Sequence, residues 1–202
     1  VLYDSHNCVA VEQDAGAEVT PCRNVTDEVA GKIDDREDAI ADAIARSGQA
    51  PSLLSWMKAR NPGIASLSRK IQIGSYTDLA AITGFARENK IDFAVIGPED
   101  PLNNGVVDAL AQIGVPAVGP NKSLARLETS KSFTRNLVNQ YRIPGNPRYR
   151  VFPSLDGVKD FLNGLDAVVL TPDGLTGGKG VLVQGDHFAT KDEALALCAQ
   201  IL

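Results

Sequence analysis

"TDLAAITGFARENKIDFAVIGPED", residues 77–100, is the stretch whose reading decides the fold. Leu79, Ile82, Phe85 and Ala86 recur at helical spacing, so its first half predicts an amphipathic helix. The run FAVIG (93–97) is short, continuously apolar and closed by Gly-Pro, as a parallel strand buried on both faces should be. A helix feeding such a strand is part of a βαβ unit, and repeated βαβ units imply a parallel sheet flanked by helices.

The alternation extends outward from this stretch. "REDAIADAIARSG" (36–48) places Ala39, Ile40, Ala43 and Ile44 on one predicted helical face, with Gly48 as a stop. A helix is predicted at about 104–113, and VPAVGP (115–120) reads as the next strand. CVAV (8–11) reads as a strand as well. Residues 14–35, rich in Asp, Glu and Thr, show no sustained period. The predicted class is α/β with an open parallel sheet.

Around YRIPGNPRYR (141–150) the pattern changes, because Pro144, Gly145 and Pro147 interrupt any helix. RYRVF (148–152) reads as a strand opening a new unit, and SLDGVKDFLNG (154–164) as a short helix capped by Ser154. The strands AVVL (167–170) and VLV (181–183) follow. The final segment, TKDEALALCAQIL, carries a capping box of Thr190 and Glu193 ahead of an amphipathic helix.

Composition sets outer bounds. The 202 residues are 44% hydrophobic and 22% charged, the usual mix for a folded chain with a real core. A formal charge of -5 argues against general nucleic-acid binding, which needs a basic face. No apolar run approaches the ~18 residues needed to cross a bilayer. Cys8, Cys22 and Cys198 are scattered, without metal-site spacing, and no metal site is expected from them or from His6 and His187. These features predict a soluble cytoplasmic protein with neither nucleic-acid nor membrane partners.

Between the strands AVVL and VLV lies "DGLTGGKG" (173–180), four glycines and one lysine in eight residues. It could be a hairpin that needs conformational room, or a loop whose amides and Lys179 meet a phosphate. The spacing is not that of the Walker loop. Chemistry is also expected at the carboxyl ends of strands. VIGPED offers Glu99 and Asp100 there, either as ligands for an amine or ribose or as the start of a turn. NPGI (61–64) is either a plain turn or a backbone-lined contact.

Taken in order, IGPEDPLNNGVVDAL, VGPNKSLARLETSKSFTRNLV, YRIPGNP and GLTGGKGV resemble the glycinamide ribonucleotide synthetase family from about Arg36 to the end of the chain. The resemblance implies a pre-ATP-grasp, Rossmann-like substrate domain (1–119), a helical linker (120–147) and the start of an ATP-grasp lobe (148–202). It implies a ligase of purine synthesis that uses ATP and Mg2+ to join glycine to 5-phosphoribosylamine. Its cover loop over the ATP phosphates matches Gly174, Gly177, Gly178, Lys179 and Gly180, and Lys131 matches the lysine that reaches those phosphates. Gly97, Pro98 and Glu99 match the phosphoribosylamine site, with Asn61 and Gly63 as neighbours and Arg36 and Glu37 retained from the opening motif. Which residue is catalytic is not indicated.

Three departures accompany the resemblance. The family opens on a glycine-rich loop ending Gly-Gly-Arg-Glu-His, where this chain reads DDREDA. Asp34 and Asp35 thus replace glycines and Asp38 replaces the histidine, and each carboxylate facing a phosphate would repel it by about 1 kcal/mol. Thr171 stands where the family has an ATP-contacting lysine. The family protein is also roughly twice as long, its acidic Mg2+ ligands lying in the second half. These leave open a non-catalytic remnant acting as a binding module, a sibling carboxylate–amine ligase, or a frame error in residues 1–35. The 202 residues alone are expected to be inactive.

Overall fold

A computed structural model describes residues 7–12, 35–175 and 180–202, with 7–12, 35 and 36 followed as backbone alone. The chain divides into two compact units, 1–125 and 126–202.

The first unit is built on a five-stranded sheet. Its strands are β1 (Asn7–Glu12), β2 (Ser52–Met57), β3 (Lys70–Ile73), β4 (Phe93–Ile96) and β5 (Ala117–Val118), in the order β3-β2-β1-β4-β5. β2 pairs parallel with β3, and β4 with β5. The expectation of a wholly parallel sheet is corrected at its centre, where β1 runs antiparallel to both β2 and β4. An apolar run such as CVAV specifies burial but not direction, and an antiparallel neighbour satisfies the backbone equally well. The reversal has a consequence for the site. Asn7 pairs with Met57 and Cys8 with Ile96, so it is the start of β1 that lies beside the carboxyl ends of β2 and β4. The Glu12 end pairs with Ser52, at the opposite edge.

Helices cover both faces because β2 is apolar on both. Leu54 and Trp56 join one cluster with Ile82, Phe85 and Ala86 of α3 (Leu79–Glu88) and with Val106 and Leu110 of α5 (Val106–Gln112). Leu53 and Met57 point the other way, packing with Ala41 of α1 (Asp35–Ala45) and Ile64 of α2 (Pro62–Leu67). Ser55 is buried in the same strand, its hydroxyl hydrogen-bonded to that of Ser68 at 2.7 Å, which satisfies both.

The helix of residues 77–90 forms as expected, capped by the Asp78 carboxylate accepting from the Ala81 amide. The helix expected at about 104–113 forms as α5, and a further short helix, α4 (Glu99–Asn104), precedes it; the two are divided at Gly105, whose φ of 85° closes the first and opens the second. α1 is rotated from its expected face. Ala39 and Ala43 are exposed, while Glu37 and Ala41, one turn apart, are fully buried.

In the second unit α7 (Lys131–Gln140) follows α6 (Lys122–Thr129), whose first residues belong to the other unit. RYRVF is not a strand: residues 148–152 are irregular, and Arg148 and Arg150 lie over the rings of Phe161 and Phe152. Ser154 is not the cap of α8 (Val158–Asn163); Gly157 is, while Ser154 hydrogen-bonds within its turn to Asp156. β6 (Val169–Leu170) and β7 (Leu182–Val183) pair antiparallel. α9 (Lys191–Ile201) carries the predicted capping box in full. Val158, Leu162, Val168, Phe188 and Ala194 form this unit's core. No helix among the described residues is long and apolar enough to cross a membrane.

Candidate functional site

Two groups of residues stand at the ends of elements, one in each unit. In the first unit the group lies at the carboxyl edge of β2 and β4. NPGI is not a plain turn but the start of α2: the Asn61 side-chain oxygen accepts from the amides of Gly63 at 2.8 Å and Ile64 at 3.2 Å. Pro62 at the first helical position needs no donor partner, which suits it to that place. Gly63 lies close against α1. A Cβ there would stand 2.7 Å from the Asp38 carboxylate oxygen Oδ1.

That approach brings the opening turn of α1, with Glu37 buried in it, against the opening turn of α2. Of the expected substrate-site residues, Glu37, Asn61 and Gly63 therefore gather in one place. The Arg36 side chain lies outside the described residues. Gly97, Pro98 and Glu99 follow β4, which β1 separates from β2, a spacing of about 9.5 Å between strand axes. Pro98 is fully buried, and Glu99 is half-buried in the first turn of α4. Asp100-Pro101 opens this short helix, with Asn104 donating back to the Asp100 carboxylate at 3.0 Å.

The second group surrounds the start of α7. Ser130 is the N-cap, its hydroxyl accepting from the Phe133 amide at 3.2 Å. The amide of Ser132 has no partner within the helix and donates instead to the carboxylate of Asp173 at 3.1 Å. The hydroxyls of Ser132 and Ser130 donate to the same carboxylate, as does the Gly174 amide at 3.0 Å. Burial alone would raise the Asp173 carboxyl, but the Ser132 hydroxyl and amide, the Gly174 amide and the Ser130 hydroxyl together hold it below its ordinary value. The helix N-terminus adds to the preference for an anion.

Lys131 completes the group by donating its ammonium to the backbone carbonyl of Gly174. The structure thus brings together Lys131 and the first glycine of the loop. Gly177, Gly178 and Lys179 lie outside the described residues, and Gly180 is half-buried just before β7. Thr171 is exposed, its hydroxyl hydrogen-bonded to the Pro172 carbonyl at 3.2 Å. Sequence reasoning missed Asp173, Ser130 and Ser132. A Ser-x-Ser flanking a lysine at a helix start, with Asp-Gly elsewhere, is a signal for a capped anion, but it does not say which carboxylate answers. Among the described residues no group of three or more His, Cys, Asp or Glu could hold a metal ion.

Comparison with known proteins gives a consistent assignment for these two units. Residues 31–128 match the family described as "Phosphoribosylglycinamide synthetase, N domain", and residues 129–202 match "Phosphoribosylglycinamide synthetase, ATP-grasp (A) domain". The chain is 44% identical over 166 residues to a phosphoribosylamine–glycine ligase of Methanococcoides burtonii, covering 80% of this chain and 38% of that protein. It is 41% identical over 167 residues to the Methanosarcina barkeri ligase of that name, covering 83% and 39%. Against the Methanocaldococcus jannaschii ligase it is 44% identical over 172 residues, covering 82% and 38%. The chain therefore spans under two fifths of the length of these relatives.

Proposed function

The chain belongs to the phosphoribosylglycinamide synthetase family, and from that premise we propose that it contributes to an ATP-dependent ligase joining glycine to 5-phosphoribosylamine. The observation that carries the reading is that two successive domains of one family match end to end across residues 31–202. Residues 1–119 would form a Rossmann-like substrate domain, 120–147 a helical linker and 148–202 the beginning of the ATP-grasp lobe.

A carboxylate is a poor electrophile. Transfer of the ATP γ-phosphoryl to the glycine carboxylate yields ADP and an acyl phosphate. The amine of phosphoribosylamine then attacks the acyl carbon, forming the C–N bond as phosphate leaves. Positioning and charge neutralisation carry most of such a reaction. In this reading Lys131 supplies a cation to the nucleotide phosphates, exchanging the neutral Gly174 carbonyl for an oxyanion. Gly174, Gly177, Gly178, Lys179 and Gly180 line the phosphates with backbone and with one further ammonium. Arg36, Glu37, Asn61, Gly63, Gly97, Pro98 and Glu99 receive phosphoribosylamine at the sheet edge. The Mg2+ that the family implies is assigned to no residue of this chain, so no step is routed through it, and the 202 residues alone are expected to turn nothing over.

A second reading, a binding module without turnover, is favoured by Asp38 and Thr171, which stand where the family has a histidine and a lysine. One assay decides between them. A polypeptide of the relatives' full length carrying these 202 residues is expected to release ADP only when glycine and phosphoribosylamine are both present. ADP release independent of either substrate, or none at all, would overturn the ligase reading.

A further inference from the structure

We propose that Asp173 is a positioning residue for Lys131: through the Gly174 peptide it holds the ammonium at the start of α7 before any phosphate arrives. The proposal rests on the reading that Lys131 meets the nucleotide phosphates. It draws on a connected set of contacts. The Asp173 carboxylate accepts from the Ser132 amide at 3.1 Å, from the Ser132 and Ser130 hydroxyls, and from the Gly174 amide at 3.0 Å. Gly174 takes a φ of 87°, and its carbonyl accepts from Lys131. Both polar ends of residue 174 are thereby engaged, one by Asp173 and one by Lys131. Asp173 is in turn fixed to the same turn of helix that carries Lys131, so lysine, glycine and aspartate form one closed ring of contacts.

The physical benefit is preorganisation. A lysine side chain has several rotatable bonds, and a ligand that must order them loses affinity in proportion. Here the ordering is already done by a carbonyl, a neutral acceptor that gives way to a charged one. Asp173 itself stays with the amide and hydroxyls of α7, so it need not compete for the ammonium.

The tests are Asp173→Ala and Asp173→Asn in this chain, read by calorimetry with ATP and with adenosine. Asp173→Ala is expected to weaken ATP about tenfold and leave adenosine within twofold, because only the phosphate contact loses its preorganised partner. Asp173→Asn, whose side-chain oxygen can still accept from the Ser132 amide, should recover most of the loss. Lys131→Ala should weaken ATP strongly in the native background and by a clearly smaller factor in the Asp173→Ala background. Full additivity, or equal losses for ATP and adenosine, would overturn the proposal. A second arm needs no nucleotide: relaxation of the Lys131 ε-carbon should show greater side-chain mobility in Asp173→Ala. An unchanged Lys131 would overturn the proposal even in a protein that binds no ATP.

Discussion

The ammonium of Lys131, the first residue of α7, donates to the carbonyl of Gly174, which lies 43 residues further along the chain. The contact depends on a left-handed Gly174, φ 87°, rather than on a lack of space, since the nearest atom to a Cβ there would be the Thr129 carbonyl oxygen at 4.0 Å. Gly174→Ala is therefore expected to destabilise the second unit by about 1–2 kcal/mol, through backbone strain alone. Gly174→Asn should destabilise it less, because asparagine tolerates this conformation. Urea unfolding followed by circular dichroism measures both, and equal losses for the two variants would contradict the strain argument.

Gly74 presents the opposite case. A Cβ at Gly74 would overlap Cζ2 of Trp56, a buried side chain packed edge-on against Phe85. Gly74→Ala must displace the indole, and overpacking of this kind costs about 1–3 kcal/mol. Trp56 is the one tryptophan of the chain, so its fluorescence reports the displacement and the urea midpoint together. An unshifted emission maximum with unchanged stability would show that the glycine is not required.

What the sequence disclosed divides along physical lines. The helix of residues 77–90, the strand at 93–96 and the capping box of Thr190 and Glu193 were legible because each rests on local spacing or on a cap within one turn. The direction of β1 was not, since pairing direction is decided by partners distant in sequence. The same holds for the face of α1, where the buried Glu37 occupies a position that hydrophobic periodicity assigns to solvent. Lys131 and Gly174, singled out through the family resemblance, meet in the structure. Asp173 was not singled out, because its meaning lies in Ser130 and Ser132 across a separation of some forty residues.

Acid should weaken the second unit through Asp173. Its carboxyl is held below its ordinary value in the folded chain, so its stabilising contribution is present above the unfolded value and is lost as pH falls through the folded one. Stability measured from pH 6 down to 2 should therefore decline less steeply below about pH 4 in Asp173→Asn than in the native chain. Parallel curves for the two proteins would show that the hydroxyl and amide donors do not favour the charged form.

The capping box makes a simpler claim. Thr190 accepts from the Glu193 amide at 3.2 Å, and the Glu193 carboxylate accepts from the Thr190 amide at 3.3 Å. Thr190→Ala should cost about 1 kcal/mol, and hydrogen exchange should rise first in the amides that open α9. Uniform exchange along α9, unchanged by the substitution, would argue that the helix is held by packing alone.

The measurement closest to the central claim is calorimetric titration of this chain with ATP, beside Lys131→Met. The account predicts that the native chain binds ATP and that the variant, similar in length but uncharged, binds it about ten- to a hundredfold more weakly, as expected for a lost hydrogen bond to a charged group. Adenosine, which lacks the phosphates, should bind the two proteins equally. Equal ATP affinity in the native chain and Lys131→Met would contradict the assignment of Lys131 to the nucleotide phosphates.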